Sequence, residues 1–220
     1  MEYAEILRFI KALKENNSKV WMDANREWYN NVRDAFKEKV AGLQKDIAKI
    51  DPEIEEVPLK DMIYRINRNN RFNRDLPPYK EYLSVTFSKG GKKSKFAEYY
   101  MHLAPDGESI IGGGIWGPEP ENLMKIRQEI DYNSSPFLSF TNNKKVKEFF
   151  GTFHQKDALK TAPKGFSKTH ENITYLRLKH FCVFHHFTDK EVVSKDFERK
   201  ILEGCNLVQP LVRYLNEAVE

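Results

Sequence analysis

The chain has 220 residues, of which 36 are Lys or Arg and 32 are Asp or Glu, so its formal net charge is +4. This length fits one domain with a substantial core, and so small a charge excess argues against a surface that coats nucleic acid. No apolar run is long enough for a membrane span and no secretory signal opens the chain, so we expect a soluble, cytoplasmic protein without membrane contact.

Two amphipathic helices are predicted at the start of the chain. Residues 3–14 place apolar side chains on one helical face, and Asn16 ends that helix. Asp23 is then expected to cap a long helix that Asp51-Pro52 stops. Its apolar positions recur every three or four residues, at Trp28, Val32, Phe36, Val40, Leu43, Ile47 and Ile50.

From Met62 the hydrophobic period changes to two, which predicts strands. A short strand at 62–65 is expected to lead into a polar loop, and further strands are expected at 83–87, 99–103 and 109–116. Turn signals at Gly90-Gly91 and at 105–107 separate the last three. Three strands joined by short turns indicate an antiparallel meander.

The remainder of the chain is predicted to be mainly helical. We expect a helix at 119–130, a broken helical region at 136–150, and an aromatic strand at 180–187. A last helix is expected to be interrupted at Pro210, where helix restarts. The sequence therefore predicts an α+β fold in which an antiparallel β-sheet is covered by several helices.

Cysteines and histidines offer little chemistry in this sequence. Cys182 and Cys205 lie in apolar patterns without a paired spacing, so we expect buried free thiols. His185 and His186 are adjacent in a predicted strand and should point to opposite faces. The histidines lack the spacing of a ligand set, and we predict neither a metal nor a cofactor.

Residues 112–117 fit the pattern G-x-G-x-x-G, but we reject a dinucleotide site there. The flanking strands are predicted to form hairpins, whereas the motif has its meaning in a parallel crossover unit. Glu119 and Glu121 also place negative charge where a pyrophosphate would bind. A sharply bent strand, or a backbone surface that another group approaches closely, fits the glycines better.

The most distinctive segment is residues 64–80, called here the arginine loop. Guanidinium groups this close together repel one another unless solvent, a carboxylate or a ligand lies between them. Its asparagines and Pro77-Pro78 favour a specifically folded loop. Two interpretations remain open: the cations bind an anion, or they lie on a solvated surface or pair with the protein's own acids. The loop carries Arg65, Arg68, Arg71, Arg74 and Lys80 against one acid, Asp75.

Our first hypothesis is that this loop binds a small ligand bearing a phosphate or carboxylate group. If the loop also catalyses a reaction, we expect that reaction to need no metal. The alternative is a non-catalytic interaction module that docks on an acidic protein surface or a nucleic-acid backbone. Side chains converging into a concavity would favour the small ligand. No nucleophile or base is identified, so the sequence does not decide whether the protein is an enzyme. The candidate ligand-binding residues are Arg65, Arg68, Asn69, Arg71, Tyr79, Lys80, Arg127, Lys160 and Lys164.

Several segments together resemble one family. They are Asn16-Asn17 with Trp21, residues 25–29, 65–72, 78–80, 99–103, 112–120, Arg127, and residues 159–165. On these the sequence resembles the DUF2461 family, a bacterial and fungal family of unknown function, over nearly the whole chain. The resemblance implies a single domain over residues 1–220 and brings no reaction with it.

One position departs from the family pattern, which usually has Asp where Asn69 stands. Because Asn69 cannot ionise, we do not expect a general base at this position. The substitution also makes the arginine loop more positive, which favours binding an anion over acid–base chemistry.

Overall fold

A computed structural model describes residues 1–69 and 75–220. The chain begins with helices α1 (Tyr3–Glu15), α2 (Lys19–Ala24) and α3 (Arg26–Ala48). The apolar stripe predicted for the long helix is confirmed, since its central members from Val32 to Ile47 are buried. The predicted cap at Asp23 is wrong. Ser18 instead caps α2 by accepting a hydrogen bond from the Trp21 N–H, and α3 follows only after a break at Asn25.

The strand predicted at 62–65 is also wrong. A short helix, α4 (Leu59–Met62), lies there instead, with Pro58 in extended conformation as its N-cap residue. Beyond α4, up to residue 69, the described chain forms single bridges, between Ile63 and Val85 and between Asn67 and Tyr79. The alternation at 62–65 therefore marks a segment that runs beside the sheet without becoming a full strand.

The four strands are β1 (Leu83–Phe87), β2 (Glu98–Leu103), β3 (Ser109–Ile115) and β4 (Phe181–Phe187). They lie in the order β1-β2-β3-β4, and every neighbouring pair is antiparallel. The predicted meander and the α+β class are thus confirmed. Since β3 runs antiparallel to both its neighbours, the glycine motif at its end lacks the parallel context of a dinucleotide site.

Six further helices follow β3 in the described chain. Between β3 and β4 lie α5 (Pro120–Tyr132), α6 (Ser134–Asn142), α7 (Lys144–Phe150) and α8 (Ile173–Leu176). After β4 come α9 (Asp189–Val192) and α10 (Phe197–Val219). The sequence missed α8 and α9, although a Thr188–Glu191 capping box marks the start of α9. Within the described residues, no helix has both the length and the apolar composition to cross a bilayer.

The predicted interruption at Pro210 is wrong, because α10 continues through it. Pro210 lies on the exposed side of the helix, where water can serve the carbonyl that loses its N–H partner. Helix α10 packs across β3 on the side of the sheet that faces the helical core. A Cβ at Gly113 would lie 2.9 Å from Val208 Cγ1, so a glycine is what allows this close approach.

The sheet has two chemically different faces because successive side chains alternate. On β2, Tyr99, Met101 and Leu103 are fully buried in the helical core. The opposite side, called here the open face, is more polar. It carries Ser84, Thr86, Glu98, Tyr100, His102, Cys182, Phe184 and His186. Cys182 and Cys205 are both buried and free, as predicted.

Candidate functional site

A cavity of about 540 Å³, called here the open-face cavity, lies over the outer side of the sheet. Aromatic rings supply much of its wall, including those of Tyr64, Tyr82, Tyr100, Trp116 and Phe184. A second cavity of about 340 Å³ adjoins it and shares Tyr64, Glu98, Gly114 and Trp116. A concave, mostly apolar site with a few polar groups is the usual form of a small-molecule site.

Lys80 brings a positive charge to this cavity. Its backbone N–H donates to the Ile66 carbonyl at 2.8 Å, which fixes the end of the arginine loop beside the sheet. The ammonium lies 5.2 Å from the ring centre of Tyr64 and 5.9 Å from that of Tyr82, within range of cation–π attraction. Burial lowers the pKa of Lys80, and the positive charges of Arg68, Arg65 and Lys92 lower it further.

Glu98 brings a carboxyl group to the point where the two cavities meet. Its side chain is partly buried and accepts a hydrogen bond from the Thr86 hydroxyl. Burial raises the pKa of Glu98, although that hydrogen bond opposes the shift. In the described part of the chain, no ion pair holds this carboxyl group, so a proton can occupy it more readily than an exposed glutamate.

A short hydrogen-bonded chain orients the polar groups on β2. His102 Nε2 lies 2.6 Å from the Glu108 carbonyl oxygen, which can only accept, so Nε2 carries the proton. Nδ1 is then an acceptor, and the Tyr100 hydroxyl donates to it at 3.3 Å. The ring of Tyr82 stacks on His102 with centroids 4.9 Å apart. These contacts hold a neutral histidine in the cavity wall.

Stability should respond to pH through His102. Burial lowers its pKa, with the neighbouring His186 adding to this and the Glu108 carbonyl opposing it. Below about pH 6.5, the ordinary histidine pKa, the unfolded chain binds a proton that folded His102 resists, so the free energy of unfolding falls as pH falls. We expect His102→Gln to reduce this loss between about pH 7 and about pH 5 in urea denaturation. An equal loss in both proteins would contradict the assignment.

Trp116 forms an aromatic platform at the junction of the two cavities. It is 53% exposed on one side, while its other face stacks on His180 at 4.0 Å and 16°. His180 is fixed in turn, because its Nδ1 accepts the Gly117 N–H at 2.9 Å. The ring of His154 lies 4.8 Å from Trp116, and the buried Nε2 of His154 has no hydrogen-bond partner among the described residues. A ligand ring could stack on the exposed face of Trp116.

The chain as a whole matches a known family. Residues 5–214 match the family described as "Conserved hypothetical protein (DUF2461)". The chain belongs to the DUF2461 family. A search of curated proteins and a search of solved structures each gave no match for it. The description of the DUF2461 family names no reaction.

In this DUF2461 protein, residues 66–68 pair with residues 78–80 at the two ends of the arginine loop. The Arg68 N–H donates to the Pro78 carbonyl at 2.9 Å, and its guanidinium donates to the carbonyls of Pro77 (3.1 Å) and Tyr79 (3.3 Å). Asn17 also holds the second of these segments, since its amide accepts from the Tyr79 N–H at 3.1 Å and donates to the Tyr79 carbonyl at 3.0 Å. Backbone carbonyls therefore hold the described ends of the arginine loop, and the predicted fold of residues 70–74 lies outside the described residues.

The structure brings only some of the predicted ligand-binding residues together. Lys80 lines the open-face cavity, and Arg65 and Arg68 lie close enough to lower its pKa. Arg65 and Asn69 are exposed, whereas the Tyr79 side chain is buried in the core, away from the cavity lining. Arg71 lies outside the described residues, so its role in ligand binding stays a prediction.

The candidates further along the chain lie elsewhere. Arg127 on α5 is buried and donates to the carbonyls of Leu176 (2.8 Å) and Leu178 (3.0 Å). Its guanidinium thus connects α5 to the segment that leads into β4. Lys160 and Lys164 are exposed in their loop and do not line the open-face cavity.

Sequence reasoning missed Glu98 and gave His102 and Tyr100 no role. The available signal was the alternation on β2, where Glu98, Tyr100 and His102 occupy every second position between core residues. A strand whose outward positions carry titratable and aromatic groups, instead of ordinary solvent-facing ones, marks a possible site wall. This DUF2461 protein therefore forms its cavity from the sheet as well as from the arginine loop.

Proposed function

We propose that this DUF2461 protein binds a small molecule that carries a phosphate or carboxylate group, in the open-face cavity. The observation that carries the proposal is Lys80, an ammonium group in the cavity wall whose charged neighbours are other cations. Arg65, Arg68 and Lys92 all act on it electrostatically, and among the described residues no ion pair joins any of these four to a carboxylate. We call Arg65, Arg68, Lys80 and Lys92 the cation group.

The hydrogen bonds of the cation group leave its charge in place. Arg68 donates to the carbonyls of Pro77 and Tyr79, and Lys92 donates to the Ile63 carbonyl at 3.0 Å. Carbonyl oxygens carry only partial charge, so they position the cations without neutralising them. Anionic ligand oxygens would relieve the mutual repulsion and gain charge-assisted hydrogen bonds.

Two lysines elsewhere in the chain show the contrasting arrangement, in which a carboxylate neutralises the ammonium group. Lys89 pairs with Glu53 at 2.7 Å and with Glu220 at 3.2 Å. Lys14 pairs with Asp106 at 2.8 Å. The basic stretch around Lys89 therefore serves the fold at least in part, whereas the charge at Lys80 faces a cavity.

The cavity walls suit a ligand with a flat apolar part. Tyr64 and Tyr82 lie beneath the Lys80 ammonium, and Trp116 offers an exposed ring face where the cavities meet. An aromatic or similarly flat body could stack there while its anionic group reaches Lys80. Burial raises the pKa of Glu98 and so favours its protonated form, which opposes this attraction less than the carboxylate would.

Calorimetric titration with phenyl phosphate tests the proposal. We expect wild-type protein to bind phenyl phosphate and Lys80→Met to bind it at least about tenfold more weakly, because a hydrogen bond to a charged group contributes about 1.5–3 kcal/mol. Lys164→Met is the matched control, since it removes a lysine that is exposed and outside the cavity. Its affinity should equal that of the wild type.

Equal affinity in the wild type and Lys80→Met would overturn the proposal. If phenyl phosphate did not bind at all, while a random-sequence oligonucleotide bound with a steep salt dependence, the protein would instead be a macromolecular docking module. Urea denaturation of Lys80→Met shows whether the variant keeps the wild-type fold during the titration.

A further inference from the structure

Lys80 has the surroundings of a reactive amine as well as those of an anion-binding group. Its side chain lies against the rings of Tyr64 and Tyr82, and the described residues give it no carboxylate partner. The ring faces favour the charged form of Lys80, but its burial and the neighbouring cations oppose it, so Lys80 keeps its charge less readily than an exposed lysine.

The neutral amine is the form that attacks carbonyl carbon. Burial lowers the pKa of Lys80, and Arg68, Arg65 and Lys92 each lower it further, so its neutral fraction at a given pH exceeds that of an exposed lysine. The same neighbours attract an anionic compound to the place where the amine lies. Lysines activated in this way form imines with carbonyl substrates.

A proton donor and acceptor lies in the same cavity. Glu98 lines the open-face cavity with Lys80, and the Thr86 hydroxyl fixes its carboxyl group from below. Burial raises the pKa of Glu98, which places it nearer to neutral pH, where an acid–base group works best. Carbonyl addition and loss of water both need proton transfer, and the carboxyl group can serve both.

We propose that Lys80 forms an imine with an aldehyde or ketone that carries a phosphate or carboxylate group, with Glu98 transferring the protons. This inference rests on the proposed function, since the cation group holds the anionic part. The Nζ lone pair bonds to the carbonyl carbon, the carbonyl electron pair moves to oxygen, and that oxygen takes a proton. The carbinolamine then loses its hydroxyl group, with a second proton, as water. The two protons lost from nitrogen leave with that water, and no oxidant or reductant takes part.

Reductive trapping with 4-carboxybenzaldehyde tests the proposal. The probe has a flat ring, a carboxylate and an aldehyde, and sodium cyanoborohydride converts any imine to a stable secondary amine. Peptide mapping then gives the labelling rate of each lysine. We expect Lys80 to be labelled at least about tenfold faster than Lys164, and its rate to reach half its maximum at a lower pH, as its lowered pKa requires.

Variants separate the roles of the two residues. Glu98→Gln should slow the labelling of Lys80 by at least about tenfold, the lower range of general acid–base effects. Lys80→Arg keeps a positive charge but has no primary amine, so labelling of the whole protein should fall to the rate of its exposed lysines. Lys164→Arg should leave the fast phase unchanged.

Binding of 4-methylbenzoate distinguishes the two proposals. This compound keeps the ring and carboxylate but lacks the aldehyde, so it reports anion binding alone. If 4-methylbenzoate binds and Lys80 is labelled no faster than Lys164, the imine inference is wrong and anion binding stands. If Lys80 is labelled rapidly while 4-methylbenzoate does not bind, Lys80 is a reactive amine, but the anion-binding proposal is wrong and so is the part of the inference that requires an anionic carbonyl compound. If neither occurs, both are wrong.

Discussion

Gly114→Ala is expected to lower the free energy of unfolding by about 3–5 kcal/mol, through backbone strain and steric overlap together. Gly114 has φ +123°, a conformation that side chains rarely allow. An ideal Cβ there would also lie 1.9 Å from the Phe181 carbonyl oxygen, so β3 and β4 would have to separate. Urea denaturation measures the change.

Gly107→Ala provides the matched control for Gly114→Ala. Gly107 also has a positive φ, +76°, but nothing lies within 4 Å of its ideal Cβ. The control should therefore lose only the strain contribution, about 1 kcal/mol. If Gly114→Ala and Gly107→Ala lowered the free energy of unfolding equally, the close approach of β4 would not be what excludes a side chain at Gly114.

Arg127→Ala is expected to lower the free energy of unfolding by about 2–4 kcal/mol. The substitution removes two hydrogen bonds from a charged donor and leaves the buried carbonyls of Leu176 and Leu178 without them. Urea denaturation is again the measurement. Because Arg127 lies outside the open-face cavity, binding of phenyl phosphate should not change at temperatures where the variant is folded.

Arg213→Ala is the control for Arg127→Ala. Arg213 is exposed on α10 and pairs with Glu217 at 2.9 Å one helical turn away. Such a surface pair contributes little, so we expect a change within about 0.5 kcal/mol. If Arg127→Ala kept its stability but lost phenyl phosphate binding, Arg127 would instead be the ligand contact suggested by the sequence.

Much of the fold could be predicted from the local periodicity of apolar residues in the sequence. The stripe from Val32 to Ile47 and the apolar alternation on β1 and β2 predicted their elements, because in each of them the apolar set lies in the helical core. Errors arose where context outweighed pattern. Pro210 normally interrupts a helix, but on the exposed side of α10 the packing of the buried face maintains the helix through it.

The candidate site was only partly predictable, for a related reason. Lys80 could be identified because the arginine loop concentrates charge within a short stretch of sequence. Glu98 lies 18 positions later and joins Lys80 in the cavity only because β2 pairs with β1. Conversely, Tyr79 is adjacent to Lys80 in sequence, yet its ring turns into the core. Local sequence does not determine which of two neighbours faces a cavity.

The alternation of β2 has a consequence for how such a protein could diverge. Tyr99, Met101 and Leu103 stabilise the core, while Tyr100 and His102 between them touch only the cavity side. Replacing the outward-facing residues of β2 could thus change which ligands the open-face cavity binds, without destabilising the core. Relatives that keep the inner set and vary the outer one would be expected to share this architecture while preferring different molecules.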